Sequence, residues 1–400
     1  MSIDVLNTGN VAFMVVTTVL VFFMIPGLAF FYGGLVPKKN TLTMMMYTFI
    51  AIGIVTILWT LGGFSMVFGK DYGGIIGSPS EYFMLNNVIF DINPRYGSTI
   101  PFLMFFMYQL MFAIITAPLM TGAIAGRITI SGWIKVLILW MILIYFPVAH
   151  WVWGGGFLAK LGFVDYAGGT VIHATAGFSA LVGVLYFGKR YVIPKRDYSN
   201  LNLVLVGAAI LLFGWFGFNS GGALMSGETA AIAFTNTGIA AGFATIVWVV
   251  IAYMRDKKYS FIEFTTGAIA GLATITPCAG YVSPRSAVVI GIIGAIACYC
   301  FLGLSRKLKW DDALGVWGVH GMGGVTGSIL VGLFAMSKVN GVTGGAHQFL
   351  IQLLGVAIVV AYTCVVCALI FKVCDSAFSI RVPDKVQEKG LDQEYMVERE

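Results

Sequence analysis

Phe349-Leu-Ile-Gln-Leu-Leu-Gly-Val-Ala-Ile-Val-Val-Ala-Tyr-Thr-Cys-Val-Val-Cys-Ala-Leu-Ile-Phe371 runs for 23 residues without an Asp, Glu, Lys or Arg before Lys372 interrupts it. As a helix rising ~1.5 Å per residue, such a stretch crosses the ~30 Å hydrocarbon core of a bilayer. As a barrel strand it is too long and lacks the alternating polar residues that face a lumen. The rest of the chain reads the same way: of 400 residues, 58% are hydrophobic and 10% charged, and the mean hydropathy is +0.89. A soluble domain carries ~25% charged residues. This composition excludes a soluble enzyme, a disordered chain and a nucleic-acid-binding protein. The formal net charge of +6 follows from loop placement.

Working outward, apolar runs divide the chain into eleven expected spans: 10–35, 41–69, 98–125, 131–152, 167–188, 201–222, 229–254, 262–279, 285–304, 314–336 and 345–376. The last is the longest and is expected to tilt or project beyond the bilayer. One set of alternate loops holds thirteen basic residues, including Lys38, Lys39, Arg127, Lys189, Arg190, Lys195 and Arg196; the other holds five, Lys70, Arg95, Lys160, Arg285 and Lys338. The positive-inside bias puts the first set in the cytoplasm, the N-terminus outside and the C-terminus inside. Residues 1–9 lack a basic n-region, so no cleavable signal peptide is expected. The expected division is a transmembrane region, 1–378, and a short cytoplasmic tail, 379–400.

Gly33-Gly34 closes the first span as Gly221-Gly222 closes the sixth, and Gly-Thr-Val-Ile-His173 resembles Val-Trp-Gly-Val-His320 five spans later. Five spans per half is an odd number, so the halves insert with opposite orientation. That is the inverted-repeat plan of many transporters, with the eleventh span outside the repeat.

Polar groups inside a span are costly, and each is a functional hypothesis. His173 and His320 lie mid-span among small residues and are candidates for a pair that shares one N–H and lines a path. Two separate histidines bonded to backbone carbonyls is the alternative; as metal ligands, two imidazoles without acidic or thiolate partners make a poor set. His150 and His347, near span ends, read as interfacial or capping. Asp165 reads either as a cap on the helix that carries His173 or as a negative charge near an outer cation site. The six cysteines read as small buried hydrophobes. Phe112, Trp153, Trp215, Phe216 and Phe218 serve either as belt and core residues or as a vestibule and ring gate that attract a small cation. Such a path lacks the oxygen ligands that replace a metal ion's hydration shell. A small weak base, cationic outside and neutral within, suits it.

Several long motifs then become recognisable: Pro26-Gly-Leu-Ala-Phe-Phe-Tyr-Gly-Gly34, Trp151-Val-Trp-Gly-Gly-Gly156, Asp165-Tyr-Ala-Gly-Gly-Thr-Val-Ile-His173, Gly214-Trp-Phe-Gly-Phe-Asn219, Gly315-Val-Trp-Gly-Val-His-Gly321, Arg381-Val-Pro383 and Gly390-Leu-Asp392. In these the chain resembles the ammonium transporter/methylammonium permease/Rhesus family over nearly its whole length. The resemblance implies an all-α polytopic membrane protein of eleven transmembrane helices with a five-plus-five inverted repeat. It further implies a homotrimer with one pore per subunit in the cytoplasmic membrane, a transporter and no enzyme, without cofactor or metal. The substrates implied are ammonium, ammonia and methylammonium. His173 and His320 match the twin pore histidines, Phe112 and Phe218 the ring gate, and Trp153 with Phe112 and Asp165 the outer ammonium site. Tyr32, Trp215 and Asn219 match residues lining or supporting the path. Asp311 and Asp312 fall at the inner mouth, where they read as solvated loop acids. Two departures stand out. Gly222 replaces a serine of many bacterial relatives at the outer site. Met396-Val397-Glu398 stands where the tail commonly carries a His-Gly-Glu segment, which bears on docking of a PII-type regulator. Competing readings are an ammonium sensor that signals through a separate partner and a Rhesus-like neutral gas channel.

Overall fold

The computed structural model describes residues 6–191, 197–377 and 379–399. Lys195 and Arg196, counted above among the basic loop residues, lie outside the described residues. So does residue 378, the expected end of the transmembrane region.

Nine helical segments among the described residues are long and apolar enough to cross a membrane: Thr8–Leu35, Lys38–Phe68, Phe102–Gly122, Ile130–Leu161, Gly169–Phe187, Leu201–Ala223, Glu228–Asp256, Pro284–Lys307 and Ala346–Ala377. They coincide with nine of the eleven expected spans. The other two are shorter than the hydropathy suggested. The eighth is a 15-residue helix, Phe261–Ile275, which stops before the Thr276-Pro277 turn. The tenth is a π turn, Trp317–Gly321, running into the 13-residue helix Met322–Phe334.

In chain order the helices are α1 (Thr8–Leu35), α2 (Thr41–Leu58), α3 (Phe64–Phe68), α4 (Phe102–Leu119), α5 (Ile130–Trp140), α6 (Phe146–Val152), α7 (Phe157–Leu161), α8 (Thr175–Phe187), α9 (Leu201–Ser220), α10 (Glu228–Asp256), α11 (Phe261–Ile275), α12 (Pro284–Lys307), α13 (Met322–Phe334), α14 (Ser337–Asn340) and α15 (Ala346–Ala377). Two small hairpins that hydropathy does not signal lie between the second and third spans. In one, β1 (Asp71–Tyr72) pairs with β2 (Ile76–Gly77); in the other, β3 (Ile92–Asn93) pairs with β4 (Gly97–Pro101).

Interhelical contact rests on small residues, as it must where lipid supplies no hydrophobic drive between helices. Along the α1–α9 crossing, a Cβ at Gly27 would meet Ile210, at Gly207 the backbone of Phe31, at Gly214 Met24, and at Gly34 Val204. Cys278, Cys298, Cys367 and Cys374 are buried, Cys364 is half-buried and Cys300 is exposed. The tail continues into α16 (Asp384–Lys389) and α17 (Leu391–Tyr395) and packs back on the bundle. Asp392 is buried there and accepts from the Leu42 and Thr43 amides at 3.0 and 2.8 Å, capping α2.

Candidate functional site

Asp165 organises one end of the site. Oδ1 accepts from the Gly168 and Gly169 amides at 2.9 and 2.7 Å, and Oδ2 from Thr170 and Val171 at 2.8 and 3.0 Å. Four N–H groups at the start of a helix otherwise lack partners, and here one carboxylate serves all four. Burial pushes this carboxyl up from its ordinary range, and the four amides oppose the rise. Each oxygen accepts two amides, which is the geometry of a cap, and the residue also borders a cavity. The Asp165 carbonyl in turn accepts from the Trp153 indole at 2.8 Å. One residue therefore fixes both the vestibule ring and the turn that carries His173.

That turn, Gly169–Ala174, is a π turn; so is Trp317–Gly321, which holds His320. π turns appear mostly as single-turn insertions, frequently at functional sites. Glycines let the two segments meet. A Cβ at Gly177 would fall on the backbone of Gly321, and one at Gly324 on the Gly169 carbonyl and the His173 side chain. The two imidazoles lie with Nδ1 to Nδ1 at 3.3 Å and ring centroids 5.3 Å apart, and both rings are buried. Two nitrogens facing at that distance share one proton. The ring that donates then keeps a bare Nε2 as acceptor, and the other keeps an Nε2–H donor. Nε2 of His173 is buried with no hydrogen-bond partner among the described residues.

The rings form a sequence. Trp153 meets Phe112 edge-on at 6.3 Å; Phe112 meets Phe218 at 4.4 Å; Phe218 stacks on His173 at 6.1 Å. Trp215 flanks both imidazoles, at 5.3 Å from His173 and 6.4 Å from His320. On the Trp153 side lies a cavity of about 300 Å³, bordered by Phe112, Trp153, Asp165, Tyr166 and Gly222 among others. Beyond Phe218 is a second cavity of about 20 Å³, lined by Leu28, Ile115, Ile172, Leu211, Trp215 and the two histidines. That space holds about one water-sized molecule and offers no carbonyl ring to a metal ion. A third cavity of about 720 Å³ opens on the opposite face and shares Phe31, Ile269 and His320 with the small one.

The other expected residues, Tyr32, Trp215 and Asn219, make the following contacts. Tyr32 Oη donates to the Leu119 carbonyl at 3.0 Å and borders the large cavity. Trp215 donates to Thr276 Oγ1 at 2.9 Å, and Asn219 Nδ2 to Thr237 Oγ1 at 2.9 Å. Gly222 leaves room that Tyr166 fills: a Cβ there would come within 3.1 Å of its ring.

The reading of Asp311 and Asp312 as solvated loop acids changes. Asp311 pairs with Arg190 at 2.6 Å and Arg127 at 3.8 Å, which hold its carboxyl low against burial. Asp312 accepts from the Val316 and Trp317 amides at 2.9 and 3.0 Å and caps the His320 turn; burial pushes its carboxyl up to about 6. The signal was present in the sequence: Asp165 precedes His173 by eight residues, and Asp312 precedes His320 by the same eight. His150 is not interfacial but wholly buried, held between Val67 and Asp71.

Residues 12–399 match the profile of the Ammonium Transporter Family. The chain is 42% identical over 393 residues to the ammonium transporter Amt1 of Archaeoglobus fulgidus, covering 97% of each. Its fold superposes on the crystal structure of Saccharomyces cerevisiae Mep2 with a TM-score of 0.88 at 33% identity, over 95% of this chain and 88% of that one. On a structure described as a sensor Amt protein the TM-score is 0.90 at 30% identity, over 97% of this chain and 98% of that one. With a profile match that starts inside the first helix and ends in the tail, the chain belongs to the ammonium transporter family.

Proposed function

We propose that this multi-pass membrane protein carries ammonium across the cytoplasmic membrane as ammonia, with deprotonation at the ring gate. The cation gathers in the 300 Å³ vestibule against Trp153 and Phe112, since ring faces attract a small cation, the more so once it sheds water. It gives its proton to water of the vestibule there, because a bare cation in an apolar lumen is too costly; a net current arises if that proton follows by a separate water and histidine route, and none if it stays outside. Ammonia passes between Phe112 and Phe218 and is handed along His173 and His320, which offer it one acceptor and one donor. Asp165 acts through the cap and through Trp153. In this reading the chain has eleven spans in a five-plus-five inverted repeat, its N-terminus outside, and works as a homotrimer. The observation that carries it is the 3.3 Å imidazole pair opening on a 20 Å³ lumen behind the tilted Phe112 and Phe218 rings.

The test is the current from protein in liposomes on a solid-supported membrane after an ammonium jump. A decaying current in wild type supports ammonium transport with net charge. Alkalinisation of the lumen without current supports a neutral ammonia path. Neither response, from folded protein, refutes transport. The similarity to the sensor Amt structure favours one second reading, an ammonium sensor acting on a separate partner. Pull-down with and without ammonium separates the two.

A further inference from the structure

His150 sits at the end of α6 with its ring wholly buried. Nδ1 is 2.7 Å from the Val67 carbonyl oxygen of α3, and Nε2 is 2.9 Å from Asp71 Oδ1 of β1. The same carboxylate pairs with Lys160 of α7 through Oδ2 and accepts the Gly74 amide at 2.8 Å. A carbonyl only accepts, so Nδ1 bears a proton. A neutral ring would then turn the lone pair of Nε2 onto a carboxylate oxygen, which is repulsive at this distance. The carboxylate is ionised: its bonds to Lys160 and His150 hold the carboxyl at about 2.

The backbone of the same residue builds the Trp153 turn. The His150 carbonyl accepts the Gly154 and Gly156 amides, both at 3.0 Å. A Cβ on Gly154 would overlap the Val67 carbonyl and come against His150 Nδ1. Trp151 donates to the Ile75 carbonyl at 2.8 Å, and the Phe157 amide to Gly74 at 2.9 Å, so the turn is docked on the β1–β2 hairpin that Asp71 begins. Other titratable groups around α6 are few among the described residues. Arg95, between β3 and β4, reaches the Gly154 carbonyl at 2.7 Å. The π turn Met141–Tyr145 adds the buried Tyr145, α15 adds Tyr362 with its ring 4.7 Å from that of Trp151, β1 adds Tyr72 beside Asp71, α3 and β2 add none, and Gly169–Ala174 adds His173, which is turned to His320.

We infer that His150 is a positioning residue, protonated on both ring nitrogens, that ties the Asp71 hairpin to the Trp153 turn and makes the vestibule's hold on its cation depend on pH. This rests on the vestibule being the recruitment site proposed above. The tie is complete while the ring carries both protons, and it is lost as pH rises and Nε2 gives up its own. Trp153 keeps its bond to the Asp165 carbonyl, but the turn that carries it is then docked on the hairpin by the Trp151 and Phe157 bonds alone, and the ring is held less firmly at its place 6.3 Å from Phe112.

The probe is methylammonium. As an alkylammonium it titrates near the ~10.4 of a lysine side chain and stays cationic through the range tested. In proteoliposomes the wild-type KM is expected to rise about five-fold between about pH 6 and pH 9, the size of effect one lost hydrogen bond makes. Asp71→Asn removes that rise, because the carboxamide N–H donates to Nε2 of a neutral ring and the tie survives without the proton. Lys160→Gln leaves the pair but removes a competing cation, so the rise moves to higher pH. Nitrogen-15 NMR of labelled histidine should show one doubly protonated ring at neutral pH, absent in Asp71→Asn and in His150→Gln. A singly protonated His150, or an equal KM rise in wild type, Asp71→Asn and Lys160→Gln, overturns the inference. If wild type carries no methylammonium at all, the transport reading fails, and the NMR spectrum still decides where the proton sits.

Discussion

Replacing Asp165 with asparagine should all but abolish transport, through the fold of the turn and not through a lost cation ligand. The carboxylate accepts four backbone N–H groups, two on each oxygen, at 2.7 to 3.0 Å. A carboxamide keeps one oxygen and puts an NH₂ where the other stood, so two amides lose their acceptor and face a donor. Two charge-assisted bonds at ~1.5–3 kcal/mol each make about 3–6 kcal/mol. That is on the order of a hundredfold or more in the population of the intact turn. Since the Asp165 carbonyl also orients Trp153, the ring gate and His173 are disturbed together. The assay is ammonium-evoked current in proteoliposomes beside thermal unfolding in detergent. Asp165→Asn and Asp165→Ala should both lose current to near background and unfold at lower temperature. Asp165→Glu should fail as well, because one extra methylene carries the charge away from the amides. A Glu variant with full current would refute the cap argument, for it would show that charge near the vestibule suffices. An Asn variant with wild-type current and unfolding temperature would refute it too.

Three other outcomes follow from the geometry. His173→Leu keeps a buried side chain of suitable size but removes the 3.3 Å Nδ1 contact and the free Nε2. Loss of a bond worth ~1–3 kcal/mol should cut ammonium flux about ten- to a hundredfold, read as initial current at equal protein density. Phe218→Ala deletes the ring 4.4 Å from Phe112; it should open the vestibule onto the lumen, cost about 3–5 kcal/mol of stability and let water pass, measured as osmotic water flux, while potassium tracer stays excluded. The Asp312 carboxyl is pushed up to about 6 by burial. It is therefore ionised above that pH and neutral below, and acidifying the compartment it faces through about 6 should weaken the His320 cap and slow transport, with Asp312→Asn showing no such step.

The amino-acid sequence alone determined the class of molecule. Charge-free runs such as 349–371 admit only a lipid-spanning helix, because the backbone must bond within itself where no water is present. It also yielded the candidate residues, since a polar group such as His173 or His320 is conspicuous against apolar neighbours. The motifs from Pro26 to Gly390 carried the family. What sequence left open was decided by contacts between segments distant in the chain. Whether Asp165 caps or attracts depended on where four amides point. Whether His173 and His320 pair depended on Gly177 and Gly324 letting two π turns touch. Asp312 looked like a solvated loop acid because hydropathy sees the loop and not the helix start it caps. His150 looked interfacial because its partner Asp71 lies 79 positions away, in a hairpin that hydropathy does not signal. Apolar periodicity and length are local properties, fixed by the solvent that each residue requires. The pairing of buried polar groups is not local: it is set by which backbones the glycines allow to meet, and only the folded chain holds that information.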